Sequence, residues 1–121
     1  MSDARVGLGR RGEELAVAAL ARRGYRVVAR NWRCPAGEVD AVARRGEAYH
    51  FFEVRTRRGR AFGTPEESLT PAKQQRMIDV ALTYLAEHDL YDVDWRVGFV
   101  AVEMDRAGRL LRVEVYDSID W

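Results

Sequence analysis

Acidic residues on two neighbouring segments are the first candidates for chemistry in this chain. Glu38 and Asp40 stand two residues apart, and Glu53 lies inside the otherwise apolar run 51–54. Residues two apart on a strand share a face, and an acid within an apolar run is not expected to face bulk water. Acids gathered on one face repel each other unless a cation lies between them. The pattern therefore predicts a hard divalent cofactor, Mg²⁺ or Mn²⁺, which prefers carboxylate oxygens and water.

Whether these acids converge depends on how two predicted strands pair. Residues 37–44 and 48–55 have the composition of strands joined by a short turn. A turn centred on residues 45–46 makes Asp40 and Glu53 diagonal neighbours on one face, about 7–8 Å apart at the backbone. A pairing shift of two residues keeps this shared face, whereas a shift of one residue removes it.

An arginine follows Glu53 at a spacing that favours a shared face of the strand. Arg55 stands two residues after Glu53, so both side chains are expected on the same face. Two metal-binding acids beside a positive charge suit phosphoester hydrolysis, because the metal activates water and both charges stabilise the transition state. The simpler alternative is a polar, solvated sheet face that binds no ligand.

The elements around this hairpin predict an α/β fold. In chain order they are helix 12–23, strands 25–30, 37–44 and 48–55, a helix that begins at Pro71 after the N-cap Thr70, and strands 95–103 and 110–116. Three consecutive strands followed by a helix favour a mixed sheet with helices packed on it. Alternation places Val39, Ala41 and Ala43 on one face of the second strand. With 121 residues we expect a flexible tail over 1–8 and a single domain over 9–121.

Charge is divided unevenly along the chain. Residues 1–60 hold 14 Arg against 7 acids, a balance of +7, whereas residues 61–121 hold 6 basic residues against 12 acids, a balance of −6. Of the 20 basic residues 19 are Arg, and Lys73 is the only lysine. This excludes a uniformly basic, histone-like protein but allows one basic surface. We expect the acids of the second half to face water.

The cysteine content and the lack of long apolar runs indicate the cellular compartment. Cys34 is the only cysteine, so an intrachain disulfide and a cysteine-based zinc site are excluded. A free thiol suits a reducing compartment. No stretch approaches the roughly 20 apolar residues that span a membrane, and the charged N-terminus does not fit a signal peptide. We therefore expect a cytoplasmic protein without a membrane partner.

Basic residues flank the predicted acids and could bind backbone phosphates. The candidates for nucleic-acid binding are Arg10, Arg11, Arg57, Arg58, Arg60 and Lys73. No zinc-finger, RNP or basic-zipper pattern is present, so sequence-specific base contacts are not predicted. The alternative is a solvated arginine-rich loop.

An ordered set of motifs resembles the YraN-like family of bacterial proteins. The motifs are Gly9-Arg10-x-Gly12-Glu13, Gly24-Tyr25, Asn31, Gly37-Glu38-x-Asp40, Phe52-Glu53-Val54-Arg55-x-Arg57 and Phe62-Gly63-x-Pro65-Glu66. That family is placed in the PD-(D/E)xK nuclease superfamily, near archaeal Holliday-junction resolvases and restriction endonucleases. The resemblance implies a restriction-endonuclease-like αβββαβ core with a mixed β-sheet flanked by helices. It also implies a metal-dependent endonuclease that acts on DNA rather than RNA, with branched or damaged DNA among the expected substrates. A homodimer would suit such an activity.

The resemblance assigns roles to individual residues. Asp40 and Glu53 match the two metal-binding acids of the superfamily, and the carbonyl of Val54 would assist them. Glu13 matches an acid on the first helix that often completes the site. Arg55 matches the position that normally holds the catalytic lysine.

Two positions depart from the family pattern. Arg55 replaces a lysine and Gly98 replaces an acid. Arginine stays charged, so it cannot act as a base, although it can hold a phosphate. Three functions therefore stay open: an endonuclease in which Arg55 substitutes for the lysine, a catalytically weakened nucleic-acid-binding protein that keeps the fold, and a protein-interaction module. Lys73 could reach a phosphate or replace the missing lysine, but the simpler and preferred interpretation is an ordinary exposed helix lysine.

Overall fold

A mixed five-stranded sheet organises residues 3–119, the part of the chain that the computed structural model describes. The elements are α1 (Asp3–Arg22), β1 (Arg26–Cys34), β2 (Gly37–Arg45), β3 (Ala48–Arg58), a 3₁₀ turn (Pro65–Ser68), α2 (Pro71–Glu87), β4 (Trp95–Met104) and β5 (Leu110–Tyr116). Within these residues no helix has the length and apolar character that a membrane span requires.

The strands follow one another across the sheet in the order β1-β2-β3-β4-β5. Neighbours are antiparallel except β3 and β4, which are parallel and are connected through the 3₁₀ turn and α2. A parallel pair requires such a crossover, since the chain must return to the end of the sheet from which it started. The arrangement confirms the predicted α/β fold, with a mixed sheet and helices packed on it.

Each face of the sheet carries its own apolar core. On the α1 face the buried residues include Ala16, Leu20, Phe52, Val100 and Val102. On the α2 face they include Val42, Phe51, Met77, Val80 and Leu85. The central strands β3 and β4 are thus covered on both sides, which explains their nearly continuous apolar sequences.

The first helix begins earlier than the sequence predicts. It begins at Asp3 rather than at Gly12, so residues 3–8, which were expected to form a flexible tail, are helical. Glycines at 7 and 9 weaken the helical signal, but Leu8 packs against the α1-side core and favours the longer helix. Residues 1 and 2 lie outside the described residues.

The hairpin between β2 and β3 differs from the prediction by two residues. Arg45 pairs with Ala48, so the turn is formed by residues 46–47 instead of being centred on 45–46. Because a shift of two residues preserves the faces, Val42 and Phe51 still lie on the same side.

The faces of β2 change at Asp40. Val39 packs in the core on the α2 side, whereas Ala41 and Ala43 pack in the core on the α1 side, so these three residues do not share a face as predicted. The β1–β2 register shifts between Val27 and Ala29, and Asn31, which stands between the pairs Arg30↔Ala41 and Trp32↔Val39, has a left-handed φ of 52°. The regular alternation that the sequence prediction assumed therefore does not hold along β2.

Helix α1 approaches β3 very closely at Gly12. A Cβ atom built on Gly12 would lie 1.8 Å from Oγ1 and 2.9 Å from Cβ of Thr56. Since Thr56 is short and branched at Cβ, it cannot move aside as a long side chain could. Gly12 therefore permits the contact that brings the following residue, Glu13, next to β3.

We expect Gly12→Ala to destabilise the fold by about 1–3 kcal/mol, because the added methyl group must push α1 away from β3. Gly9→Ala is the matched control, since a Cβ there meets nothing within 4 Å. In the control the better helix propensity of alanine should stabilise by up to about 1 kcal/mol. Urea unfolding checks both variants. Equal stability of the two variants would contradict the close contact.

Candidate functional site

The residues predicted to do chemistry line one open cleft of about 850 Å³ beside α1, β2 and β3. All four predicted catalytic residues are there: Glu13, Asp40, Glu53 and Arg55. Val54, Arg57 and Arg58 line the same cleft, together with Thr56 and Phe62, which the sequence analysis did not select. The fold thus brings together residues that are up to 54 positions apart, from Leu8 to Phe62.

Asp40 lies where β2 separates from β3. The pairing of the two strands ends at Ala41↔Phe52, and the carboxylate of Asp40 accepts a hydrogen bond from the Val54 N–H at 2.8 Å. Burial raises the pKa of Asp40 to about 7, and the charges of Glu53 and Glu13 add to this, whereas the Val54 N–H opposes it. A nearby cation would therefore stabilise the ionised form of this carboxyl.

Glu53 is the more enclosed of the two strand acids, with a side chain 17% exposed. Its Oε2 atom lies 2.9 Å from Nζ of Lys73 and 3.9 Å from Nη2 of Arg55, but no donor among the described residues makes a hydrogen bond to it. Burial raises the pKa of Glu53, and the charges of Arg55 and Arg76 oppose the rise. The positive charges of Lys73 and Arg55, the two cations nearest to Oε2, therefore compensate the charge of this carboxylate.

The position of Lys73 corrects the preferred interpretation from the sequence. Its side chain is 17% exposed and belongs to the site, so it is not an ordinary exposed helix lysine. Thr70 caps α2 by accepting a hydrogen bond from the Lys73 N–H at 3.2 Å. The predicted cap therefore fixes the backbone of the residue whose ammonium reaches Glu53.

Glu13 enters the cleft from α1. Its carboxylate lies 4.0 Å from the guanidinium of Arg30, which pairs more closely with Glu14 at 2.7 Å. Its charge contributes to the raised pKa of Asp40, so the two acids interact electrostatically. The helix acid therefore lies in the same cleft as the strand acids.

The six residues predicted to bind nucleic acid do not form one surface. Arg57 and Arg58 line the cleft, and Lys73 reaches it through Glu53. Arg10 is exposed on α1 outside the cleft lining, while Arg11 donates to the Gly108 carbonyl at 2.5 Å.

Arg60, the sixth of these residues, is exposed but is engaged by an acid of β4. Its guanidinium pairs with Glu103, which is 2% exposed and also accepts from Nε of Arg112 at 2.9 Å. Arg112 then forms a two-pronged ion pair with Glu66, each hydrogen bond 2.7 Å long, and Tyr116 donates to the same carboxylate. Hydrogen bonds from Arg112 lower the pKa of Glu66 to about 2. The network connects the loop after β3 to the sheet. Glu66 and Glu103, which were expected to face water, are both part of it.

Steric crowding accounts for the glycine at position 98, where the family pattern has an acid. A Cβ there would lie 2.5 Å from the Phe52 ring and 2.6 Å from the Tyr116 carbonyl oxygen. The space that the acid of the family pattern would need is therefore filled, and Gly98 contributes no side chain to the cleft.

The donor atoms suit a hard divalent cation in part. The described residues contain no group of three or more His, Cys, Asp or Glu that could hold a metal. Asp40 and Glu53, however, offer two carboxylates, and Oε2 of Glu53 is buried without a hydrogen bond. Mg²⁺ in particular is often bound through one or two carboxylates, with water and substrate phosphate completing its shell. The two acids therefore fit such an ion without a third protein carboxylate.

Fold and site together define an α/β protein with a restriction-endonuclease-like core, in which helix and strand acids meet at the point where β2 and β3 separate. Residues 12–114 match the uncharacterised protein family UPF0102. The chain belongs to this family, which is the YraN-like family that the motifs resemble.

Curated relatives support the assignment over nearly the whole chain. A UPF0102 protein of Roseiflexus castenholzii is 46% identical over 115 residues, which are 94% of this chain and 93% of that protein. A UPF0102 protein of Acidothermus cellulolyticus is 44% identical over 123 residues, covering 99% and 93% respectively. A third, of Nocardia farcinica, is 52% identical over 90 residues, or 71% of each chain.

Proposed function

We propose that this protein is a metal-dependent endonuclease-like hydrolase that acts on phosphodiester bonds of DNA. The observation that carries the proposal is the convergence of Asp40, Glu53 and Glu13 with Arg55 and Arg57 in one cleft. Acids alone would repel a polyanionic backbone, and arginines alone would only bind it. A site with both kinds of residue can hold a divalent cation and a phosphate side by side.

In this proposal Asp40 and Glu53 would hold Mg²⁺ or Mn²⁺, assisted by the Val54 carbonyl. The ion supplies Lewis acidity and a more acidic bound water. Glu13 orients water on the α1 side of the cleft, and Arg55 and Arg57 bind the phosphate oxygens. Hydrolysis adds water to phosphorus and breaks one P–O bond of the strand.

Lys73 takes over the role of the lysine that Arg55 replaced. Its ammonium lies 2.9 Å from Glu53, closer than the 3.9 Å of the Arg55 guanidinium. An ammonium is compact and can exchange its proton, whereas a guanidinium stays charged at accessible pH. A lysine supplied by α2 can therefore act at the same carboxylate as one supplied by β3.

Branched or damaged DNA is the proposed substrate class. We propose that the protein acts on this substrate as a homodimer. A homodimer would present two such clefts to a branched molecule.

Asp40→Asn should abolish cleavage of a supercoiled plasmid in Mg²⁺ or Mn²⁺, with a loss of at least about 100-fold, because the amide removes one of two anionic ligands. Asparagine can still accept the Val54 N–H, so the fold should persist. Asp92→Asn, an exposed acid outside the cleft, is the matched control and should cleave like the wild type. Equal nicking by Asp40→Asn and wild type would identify a contaminating nuclease and contradict the proposal.

The second candidate function is a nucleic-acid-binding protein that has kept the fold and lost most turnover. The arginine at position 55 favours it, since the superfamily pattern has lysine there. Rates of two variants separate the candidates, because each variant changes a different cation beside Glu53.

We expect Lys73→Ala to lower the rate constant of cleavage by about 100-fold or more and Arg55→Lys to change it by less than about threefold. Gln75→Ala, an exposed position on the same helix, is the control for helix stability. Single-turnover cleavage measures the rates. A gain of more than about tenfold in Arg55→Lys, with little effect of Lys73→Ala, would favour the weakened protein instead.

A further inference from the structure

The most exposed large apolar side chain of the described residues stands at the edge of the cleft. Phe62 is 86% exposed, in the loop between β3 and the 3₁₀ turn, and it lines the cleft with Glu53 and the arginines. A phenyl ring in this state contributes nothing to either core and leaves its apolar surface in water. Its place therefore needs an explanation other than packing.

The loop that carries Phe62 is fastened on both sides. Before it, Arg60 is paired with the buried Glu103. After it, Thr64 caps the 3₁₀ turn and Pro65 is buried. The N–H of Gly63 also donates to the Arg60 carbonyl at 3.1 Å, which closes a tight turn around the phenylalanine. The turn that carries the ring is therefore fixed before a ligand binds, and the loop loses little conformational entropy on binding.

The neighbours of Phe62 indicate the chemistry of its ligand. Arg55, Arg57 and Arg58 line the same cleft and suit a polyanion. In a nucleic acid, the flat face of a base lies within one nucleotide of each phosphate. A phenyl ring beside phosphate-binding arginines therefore matches a nucleobase better than it matches an apolar protein surface.

We propose that Phe62 stacks on an unpaired nucleobase, so that the preferred substrate is DNA with at least one unpaired nucleotide next to the phosphate held in the cleft. In a fully paired duplex each base is covered by its neighbours and has no free face for the ring. The inference rests on the proposed function for its phosphate site and adds the feature that selects the substrate.

The test measures binding and not cleavage, so it is independent of turnover. Fluorescence anisotropy in EDTA gives the Kd of the full chain for a labelled duplex of about 20 base pairs, and for the same duplex with one unpaired nucleotide. The variants are Phe62→Ala, Phe62→Trp and the control Tyr91→Ala, which removes an aromatic ring that is 73% exposed outside this cleft.

Wild type, Phe62→Trp and Tyr91→Ala should bind the duplex with the unpaired nucleotide about tenfold more tightly than the paired one, as expected from the free energy of one stacked base. Phe62→Ala should lose this preference while its affinity for the paired duplex stays within about twofold.

Three results would overturn the inference. They are no preference in the wild type, an equal loss for both duplexes in Phe62→Ala, and a change in sedimentation of Phe62→Ala alone, which would assign the ring to contact between copies of the chain. Failure of the proposed function looks different. The binding preference would then be present without any cleavage that depends on Asp40, whereas cleavage without the preference would remove only this inference.

Discussion

The hydrogen bond from the Val54 N–H to the Asp40 carboxylate is the contact on which the site depends. It lies just beyond the last paired residues of β2 and β3, where main-chain pairing between the two strands has ended. A side chain of β2 therefore holds the next N–H of β3, and the strands can separate without leaving that donor unsatisfied. Glu13 lines the cleft at this point, and the ammonium of Lys73 lies 2.9 Å from the Glu53 carboxylate. Partial burial at this point also raises the pKa of both strand acids.

Three further contacts hold the surrounding elements against this opening. Gly12 lets α1 approach Thr56, Thr70 caps the helix that carries Lys73, and Glu103 binds Arg60 below the loop of Phe62. None of these contacts needs a ligand, so the cleft is organised before any ligand binds. Such preorganisation lowers the cost of arranging charges around a cation and a phosphate.

Local patterns in the sequence predicted much of the fold and site. Turn residues, caps and alternation located the strands and the start of α2, and they selected Asp40 and Glu53, which line one cleft. The exact register was not accessible, because neighbouring turn positions at 45–47 satisfy the same composition rules. The change of faces between Val39 and Ala41 was not accessible either, because a strict alternation along β2 places both residues on one face.

Long-range partners were the other part that the sequence did not predict. Lys73 resembles any lysine in the first turn of a helix until the fold places Glu53 beside it. Glu103 resembles a solvated acid until Arg60 and Arg112 surround it. The division of charge between the two halves, +7 against −6, is consequently not a division between a binding side and a solvated scaffold. Some acids of the second half hold arginines of the first.

The proposed function requires that Asp40 and Glu53 form one cation site, in which Lys73 neutralises Glu53 until a metal binds. Isothermal titration calorimetry with Mn²⁺ tests this most directly, comparing wild type with Glu53→Gln and with the exposed-acid control Glu87→Gln. We expect about one Mn²⁺ per chain in wild type and control, and a loss of affinity of at least about tenfold in Glu53→Gln. Equal binding by all three proteins, or no binding by the wild type, would contradict it.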